Sequence, residues 1–379
     1  MSLPKILLTN FHQHRGGGHT TFIKTLVTSR LQEQFEFAVT APEGSYLGAL
    51  MRREGIKFYP CEFEFKILRP FKSLHSILRF REICECFKPN IVHVNGAADM
   101  STALFAYLGR EKSFKLVRTQ HAIRAIPNHS YHRWLYNQID RYLYTSRQSR
   151  DLSIGFKDAW RPKEPIVIEN GVDLEVFTPR PKDQELLSRL SIQENEMIIG
   201  SCAGLGSYKR VDLMIRAIHR LKGKYSFKVI LLGSEKDWPK VEKLIKQLNI
   251  GHIIQYVGFE EDVRPYCSLF DIGFVLSDRN ETLSYAAREM MAMGIPLISS
   301  DFSGLPDNVD HELNGWIVPA GQLEPLVSRL EACLTMDRFI LERYRLAARE
   351  KAVRCFNIHG QIKVYKALYG KLITQSHKA

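Results

Sequence analysis

Short apolar runs rich in β-branched and aromatic residues alternate along this chain with longer stretches of helical periodicity. The runs at 5–10 (KILLTN), 35–41 (FEFAVTA), 56–63 (IKFYPCEF), 90–96 (NIVHVNG), 115–121 (KLVRTQH), 141–146 (RYLYTS) and 165–170 (PIVIEN) read as strands. Amphipathic segments separate most of them. Strands that are apolar on both faces and divided by helices predict a parallel sheet covered on each side. After a stretch rich in proline and charge at 177–185 (FTPRPKDQE), the series begins again with strands expected at 197–204, 227–233, 253–258, 271–277 and 296–300. The pattern predicts an α/β chain of two Rossmann-like, doubly wound domains. Ligands of such sheets bind beyond the carboxyl ends of the strands, and facing domains make a cleft, so strand ends are where chemistry is sought.

Length supports two domains, because 379 residues exceed one ordinary core and about 150–200 residues per domain is usual. With 45% hydrophobic and 25% charged residues and no low-complexity run, the chain is expected to be globular throughout. Apolar stretches such as MMAMGIPLI fall short of the ~20 residues of a membrane helix, and the N-terminus lacks a basic head followed by a long apolar segment. A soluble, cytoplasmic protein is expected. Seven cysteines, at 61, 84, 86, 202, 267, 333 and 355, are odd in number and lack metal-ligand spacing, which suits a reducing compartment. The net charge of +12 predicts attraction to phosphate groups, acidic lipids or nucleic acid without choosing among them.

Four places carry candidate chemistry. RGGGHTTFIKTL follows the first strand, and its Gly17 and Gly18 would let backbone N–H groups approach a phosphate at a helix start. It matches neither GxGxxG nor a P-loop, and a flexible turn is the alternative. His121 ends the fifth strand, where an imidazole can bond a sugar or steer charge, a structural or surface histidine being the alternative; His93 and Asn95 hold a similar place on the fourth. Lys209 and Arg210 open a helix in the second domain as a possible diphosphate clamp, or as solvated surface. Glu281 and Glu289 stand eight positions apart, with a helix expected to begin near Ser284. On one continuous helix they would be ~12 Å apart along the axis and ~80° apart around it, too far to share a proton or a metal ion. They suit the two ends of an elongated ligand, with N–H groups near Leu283 and Ser284 holding a phosphate between them; a solvated helix face is the alternative.

Taken together, GGGH, TQHAI, YTSRQSRDL, IENGVDLEVFTP, Lys209 and ETLSYAAREMMAMGIPLISSDFSGLPDNV resemble the retaining glycosyltransferases of the GT-B type, specifically glycosyltransferase family 4. The most specific part is the E-x7-E spacing followed by Met-Ala-x-Gly-x-Pro and a Gly-x-Pro turn. The resemblance implies a first domain of residues 1–174, completed by a helix within 355–379, and a second of 175–354. It implies that Glu289 bonds the donor's ribose and Glu281 its sugar. Lys209, with the backbone at Leu283 and Ser284, would hold the diphosphate; Gly17 and Gly18 would close on it, and His121 would sit beside the transferring sugar. One departure is Gly204, where the family's usual arginine stands five positions before the lysine; Arg210 is a possible substitute. Thr282 and Asp307 also depart from the usual glycine and glutamate.

The resemblance further implies transfer of a hexose-type sugar, UDP-linked, with retention and without a metal or other cofactor. A front-face route is expected, in which the departing phosphate oxygen takes the acceptor's proton, with domain closure hinged near Gly171 and the final helix. Basic and aromatic segments at 65–87 and 129–144 suggest an anionic inner-membrane surface and a glycan or lipid-linked acceptor, as in lipopolysaccharide synthesis; ordinary packed helices are the alternative. No nucleic-acid reading motif is present. A sugar-nucleotide epimerase and a non-catalytic nucleotide-sugar-binding module remain the rival readings.

Overall fold

A computed structural model describes residues 2–13, 17–65, 68–193 and 195–376. Gly16 of the glycine stretch, and Lys66 and Ile67 of the first basic segment, lie outside the described residues. The chain divides into two compact units, one of Met1–Glu169 with His359–Ala379 and one of Asn170–Ile358.

In unit 1, seven strands among the described residues form one sheet: β1 (Lys5–Thr9), β2 (Glu36–Ala41), β3 (Lys57–Pro60), β4 (Ile91–Val94), β5 (Lys115–Gln120), β6 (Arg141–Tyr144) and β7 (Ile166–Val167). Their order is β3-β2-β1-β4-β5-β6-β7, and each pair is parallel. Ile6, Leu7 and Leu8 are wholly buried although alternate side chains point to opposite faces, which requires helices on both sides. The helix Gly18–Val27 supplies one such cover through Phe22, Ile23, Leu26 and Val27, a spacing that fills one helical stripe. The helix Ile358–Ser376 supplies another: Tyr369 meets the buried His93 at 2.7 Å, and Tyr365 lies 5.9 Å from the Phe22 ring. The direction in which strands are added reverses between β1 and β4, neighbours through Leu8↔His93. In such sheets the reversal point is where ligands are bound, beyond the carboxyl ends of the strands.

Unit 2 repeats the plan. Its described strands are β8 (Met197–Ser201), β9 (Phe227–Leu232), β10 (Ile254–Gly258), β11 (Ile272–Val275), β12 (Leu297–Ser300) and β13 (Gly315–Val318), ordered β10-β9-β8-β11-β12-β13 and all parallel. The reversal falls between β8 and β11. β13 is absent from the sequence pattern because it follows β12 by way of the short 3-10 turn Pro306–Asn308, with no full helix to announce it.

The boundaries expected after 174 and 354 fall instead at 169/170 and 358/359. Val172 donates its N–H to Phe356 O at 2.7 Å, and Ile358 donates to Val172 O at 3.1 Å. This bridge draws both connecting segments into unit 2.

Candidate functional site

Unit 2 places its candidate residues on the two loops that flank the reversal of its sheet. Beyond β8 the chain runs through Gly204 to the 3-10 turn Ser207–Lys209 and then the helix Val211–Leu221. Beyond β11 it runs to the helix Tyr285–Ala292. Lys209 Nζ forms an ion pair with Glu281 Oε2, and both side chains are only 11% exposed. Ser277 Oγ donates to the same carboxylate oxygen at 3.2 Å. Burial opposes the ammonium charge of Lys209, but Glu281 outweighs it and raises the lysine above its ordinary pKa. Lys209 is therefore a fixed cation.

Arg210 has a different environment. Its guanidinium bonds Asp212 through Nε at 3.1 Å and Nη2 at 3.2 Å, and Asp278 through Nη1 at 2.7 Å. Two carboxylates already neutralise it, which weakens its case as a replacement for the arginine missing at Gly204. Gly204 itself has φ +88°, while a Cβ there would meet nothing within 4 Å. Backbone conformation, not crowding, favours glycine at that position.

Ser284 caps the helix Tyr285–Ala292, its Oγ accepting from Ala287 N at 3.4 Å, and holds φ at 60°. Glu281 thus lies in the loop before the helix and Glu289 inside it, so the two do not share a helical face. Leu283 is buried, and its carbonyl accepts from Asn308 Nδ2 at 2.6 Å, which fixes the loop from below. Burial pushes the Glu289 carboxyl up to about 7. The first backbone N–H groups of a helix have no partner within it, which makes such a start favourable to anions.

Unit 1 places its candidate residues near the β1/β4 reversal. Gly17 adopts φ 103°, a value that favours glycine, and its carbonyl accepts from Thr20 N at 3.0 Å and Thr21 N at 3.2 Å. Gly18 begins the helix behind it and is exposed. His121 follows β5, and its Nε2 meets Asn95 Oδ1 at 2.9 Å. Asn95 Nδ2 donates to Thr9 O at 2.9 Å, which fixes the amide so that Oδ1 must accept from His121. The proton is therefore on Nε2 and the lone pair on Nδ1. Burial first, then the neighbouring His19, His93 and Arg118, hold the imidazole well below its ordinary pKa, so it is neutral.

His93 is buried with both ring nitrogens engaged, one by Tyr369 and one by Thr119 Oγ1, each at 2.7 Å. It supports the sheet and offers no nitrogen to a ligand. Asn95 acts through His121 by setting its tautomer. The sequence reading missed Asn308 and Arg288, the buried pair beneath the Leu283 loop; a charged residue amid the small apolar helix "YAAREMMA" was the available signal. Among the described residues, no group of three or more His, Cys, Asp or Glu side chains is arranged to hold a metal ion.

Two doubly wound parallel sheets of this kind define the GT-B fold of glycosyltransferases. The model for Glycosyltransferase Family 4 matches residues 16–176 and that for Glycosyl transferases group 1 matches residues 182–352, and the chain belongs to this family. It is 29% identical over 224 residues to the putative colanic acid biosynthesis glycosyltransferase WcaL of Escherichia coli K12, covering 55% of this chain and 53% of that protein. The chain thus spans about half the length of that relative. It is 22% identical to the N-acetyl-alpha-D-glucosaminyl L-malate synthase of Bacillus anthracis, covering 77% of each. Among solved structures, Anabaena Alr3699/HepE in complex with UDP-glucose superposes with a TM-score of 0.81 at 17% identity, over 97% of this chain and 99% of that one.

Proposed function

We propose that this glycosyltransferase moves a hexose-type sugar from a UDP-linked donor, with retention at the anomeric carbon, to a glycan or lipid-linked acceptor of the cell envelope. The observation that carries the reading is the Lys209–Glu281 ion pair at the mouth of a helix that holds Glu289. Glu289 takes the ribose hydroxyls and Glu281 those of the sugar, while Lys209 and the N–H groups near Leu283 and Ser284 take the diphosphate. The naming of a colanic acid glycosyltransferase and a UDP-glucose complex among the similar proteins supports the donor and the envelope setting.

Negative charge grows on the leaving diphosphate as the glycosidic bond breaks. Fixed donors aimed at that charge are commonly worth ~3 kcal/mol each, and Lys209 supplies an ammonium, without a metal, once the diphosphate draws it from Glu281. The departing phosphate oxygen accepts the proton of the acceptor hydroxyl, whose oxygen forms the new bond on the same face. His121, neutral and with Nδ1 free to accept, bonds a sugar hydroxyl and adds no positive charge next to an oxocarbenium-like centre. Gly17 and Gly18 offer backbone N–H groups to the phosphates.

The acceptor side rests on unit 1. Phe71, Leu74 and Leu78 recur at helical spacing on the helix Pro70–Phe87 and are 86%, 53% and 45% exposed, with Arg69 and Lys72 beside them. Tyr131 and Trp134 are exposed on the helix Ser130–Tyr136. Apolar side chains fringed by cations suit an anionic bilayer surface, and thus a lipid-linked acceptor. No helix among the described residues is long and apolar enough to cross a membrane. The test is nucleotide release from a panel of UDP- and GDP-sugars, with and without envelope lipid extract. Release from one donor that depends on acceptor is expected; tight binding without release in every mixture would overturn the transferase reading in favour of a binding module.

A further inference from the structure

The buried guanidinium of Arg288 has no place in the donor grip described above, yet it joins three parts of unit 2. Arg288 is 1% exposed. Burying a guanidinium is costly unless its donors are all used, so its partners are informative. Nε donates to Asn308 Oδ1 at 3.0 Å, and the same Asn308 donates through Nδ2 to Leu283 O at 2.6 Å. Nη1 donates to the Asn170 carbonyl. The guanidinium carbon also lies 4.4 Å from the centre of the Phe356 ring, a cation–π distance.

Asn170 is the first residue of unit 2, and Phe356 stands two before its last. The segments they belong to are bridged by Val172 N to Phe356 O and by Ile358 N to Val172 O. A Cβ on Gly171 would come within 2.5 Å of Ile358 Cα, so these two segments run in backbone contact. One planar cation therefore holds the donor loop, through Asn308, and both segments by which the chain enters and leaves unit 2.

We propose that Arg288 is a positioning residue that couples the state of the Leu283 loop to the paired segments at 170–172 and 356–358. This inference rests on the reading of that loop as the donor site. A ligand that settles the Leu283 carbonyl settles Asn308, then Arg288, and through it the two connecting segments. An apolar residue could fill the same space but would join none of them.

Amide hydrogen exchange with and without saturating UDP or GDP tests this. In the wild type, the nucleotide that binds is expected to slow exchange at least fivefold at the Val172 and Ile358 amides as well as in the 281–289 loop. Asn308→Asp still accepts from Arg288 but cannot donate to Leu283 O, so its affinity is expected to fall; at nucleotide concentrations that saturate it by calorimetry it should protect the loop while losing protection at Val172 and Ile358. Retention of that distant protection in Asn308→Asp overturns the coupling. Wild-type protection confined to 281–289 overturns it also, without needing any variant, and leaves the donor reading standing. No nucleotide-dependent change anywhere in the wild type overturns both.

Discussion

Lys209 and Glu281 neutralise each other within unit 2, an ammonium and a carboxylate nearly closed off from solvent at the reversal of the sheet. Two groups assigned to different parts of one donor are thus held ready in each other's charge field. On the proposed assignment a diphosphate would compete with Glu281 for Lys209, and the pairing holds both side chains in a single geometry without it.

Lys209→Met should weaken binding of a UDP-sugar by ~100-fold, about 2.7 kcal/mol, because it removes the phosphate's cation and leaves Glu281 buried without its charge partner. Arg210→Met should change affinity less than ~3-fold, since Asp212 and Asp278 already occupy that guanidinium. Calorimetric titration of both variants compares them directly. Equal losses would restore Arg210 to the clamp.

The folded chain holds the Glu289 proton up to about pH 7, against an ordinary value of 4.5. A ribose that donates hydrogen bonds favours the carboxylate, so binding must expel that proton. Affinity for UDP-glucose, whose diphosphate does not titrate in this range, is expected to rise with pH up to about 7 and then level off; Glu289→Gln should bind more weakly and show no rise. The same shift makes the contribution of Glu289 to stability fall as pH climbs from 4.5 to about 7, because the folded state binds the proton that the unfolded state releases. Thermal melting across that window checks the sign.

Asn95→Ala removes the acceptor that fixes the His121 tautomer. Turnover is expected to fall by ~10-fold with donor KM nearly unchanged, as for loss of a contact that matters in the transition state. Because His121 is held far below its ordinary pKa, the wild-type rate should show no step from its protonation between pH 6 and 8. A steady-state pH profile of both proteins reads the two effects together.

Phe71 and Leu74 should anchor the chain to anionic vesicles. Co-sedimentation with phosphatidylglycerol-rich liposomes is expected for the wild type at low salt, with a loss of at least ~10-fold in Phe71→Asp/Leu74→Asp. Binding that ignores anionic lipid content would remove the membrane assignment.

Most of the sheet was legible because buried parallel strands such as Ile6–Leu8 are continuous apolar runs whose spacing needs no tertiary context. The helix start between Glu281 and Glu289 was legible near Ser284, which caps it. What could not be read were relations across long separations. The Lys209–Glu281 pair spans 72 positions and the Arg288–Asn170 bond 118. Nothing local distinguishes Arg210, tied to Asp278, from Lys209, and nothing in the fourth strand distinguishes His93, sealed beneath Tyr369, from a histidine open to ligand. Such differences are made by which distant side chain arrives, after the fold has formed.

The bond between His93 and Tyr369 joins residues 276 positions apart, and it has a consequence for synthesis on the ribosome. Residues 170–358 form unit 2 without interruption, whereas the sheet made first still lacks its closing helix when unit 2 has fully emerged. Until then His93 lacks the hydroxyl it is buried against, and the rings of Phe22 and Phe35 lack the tyrosines that cover them. The half of the protein translated second is thus the half able to finish folding first. A chain ending at 358 should yield a protease-resistant unit 2 joined to a labile unit 1, with the last helix serving as the latch that the N-terminal sheet waits for.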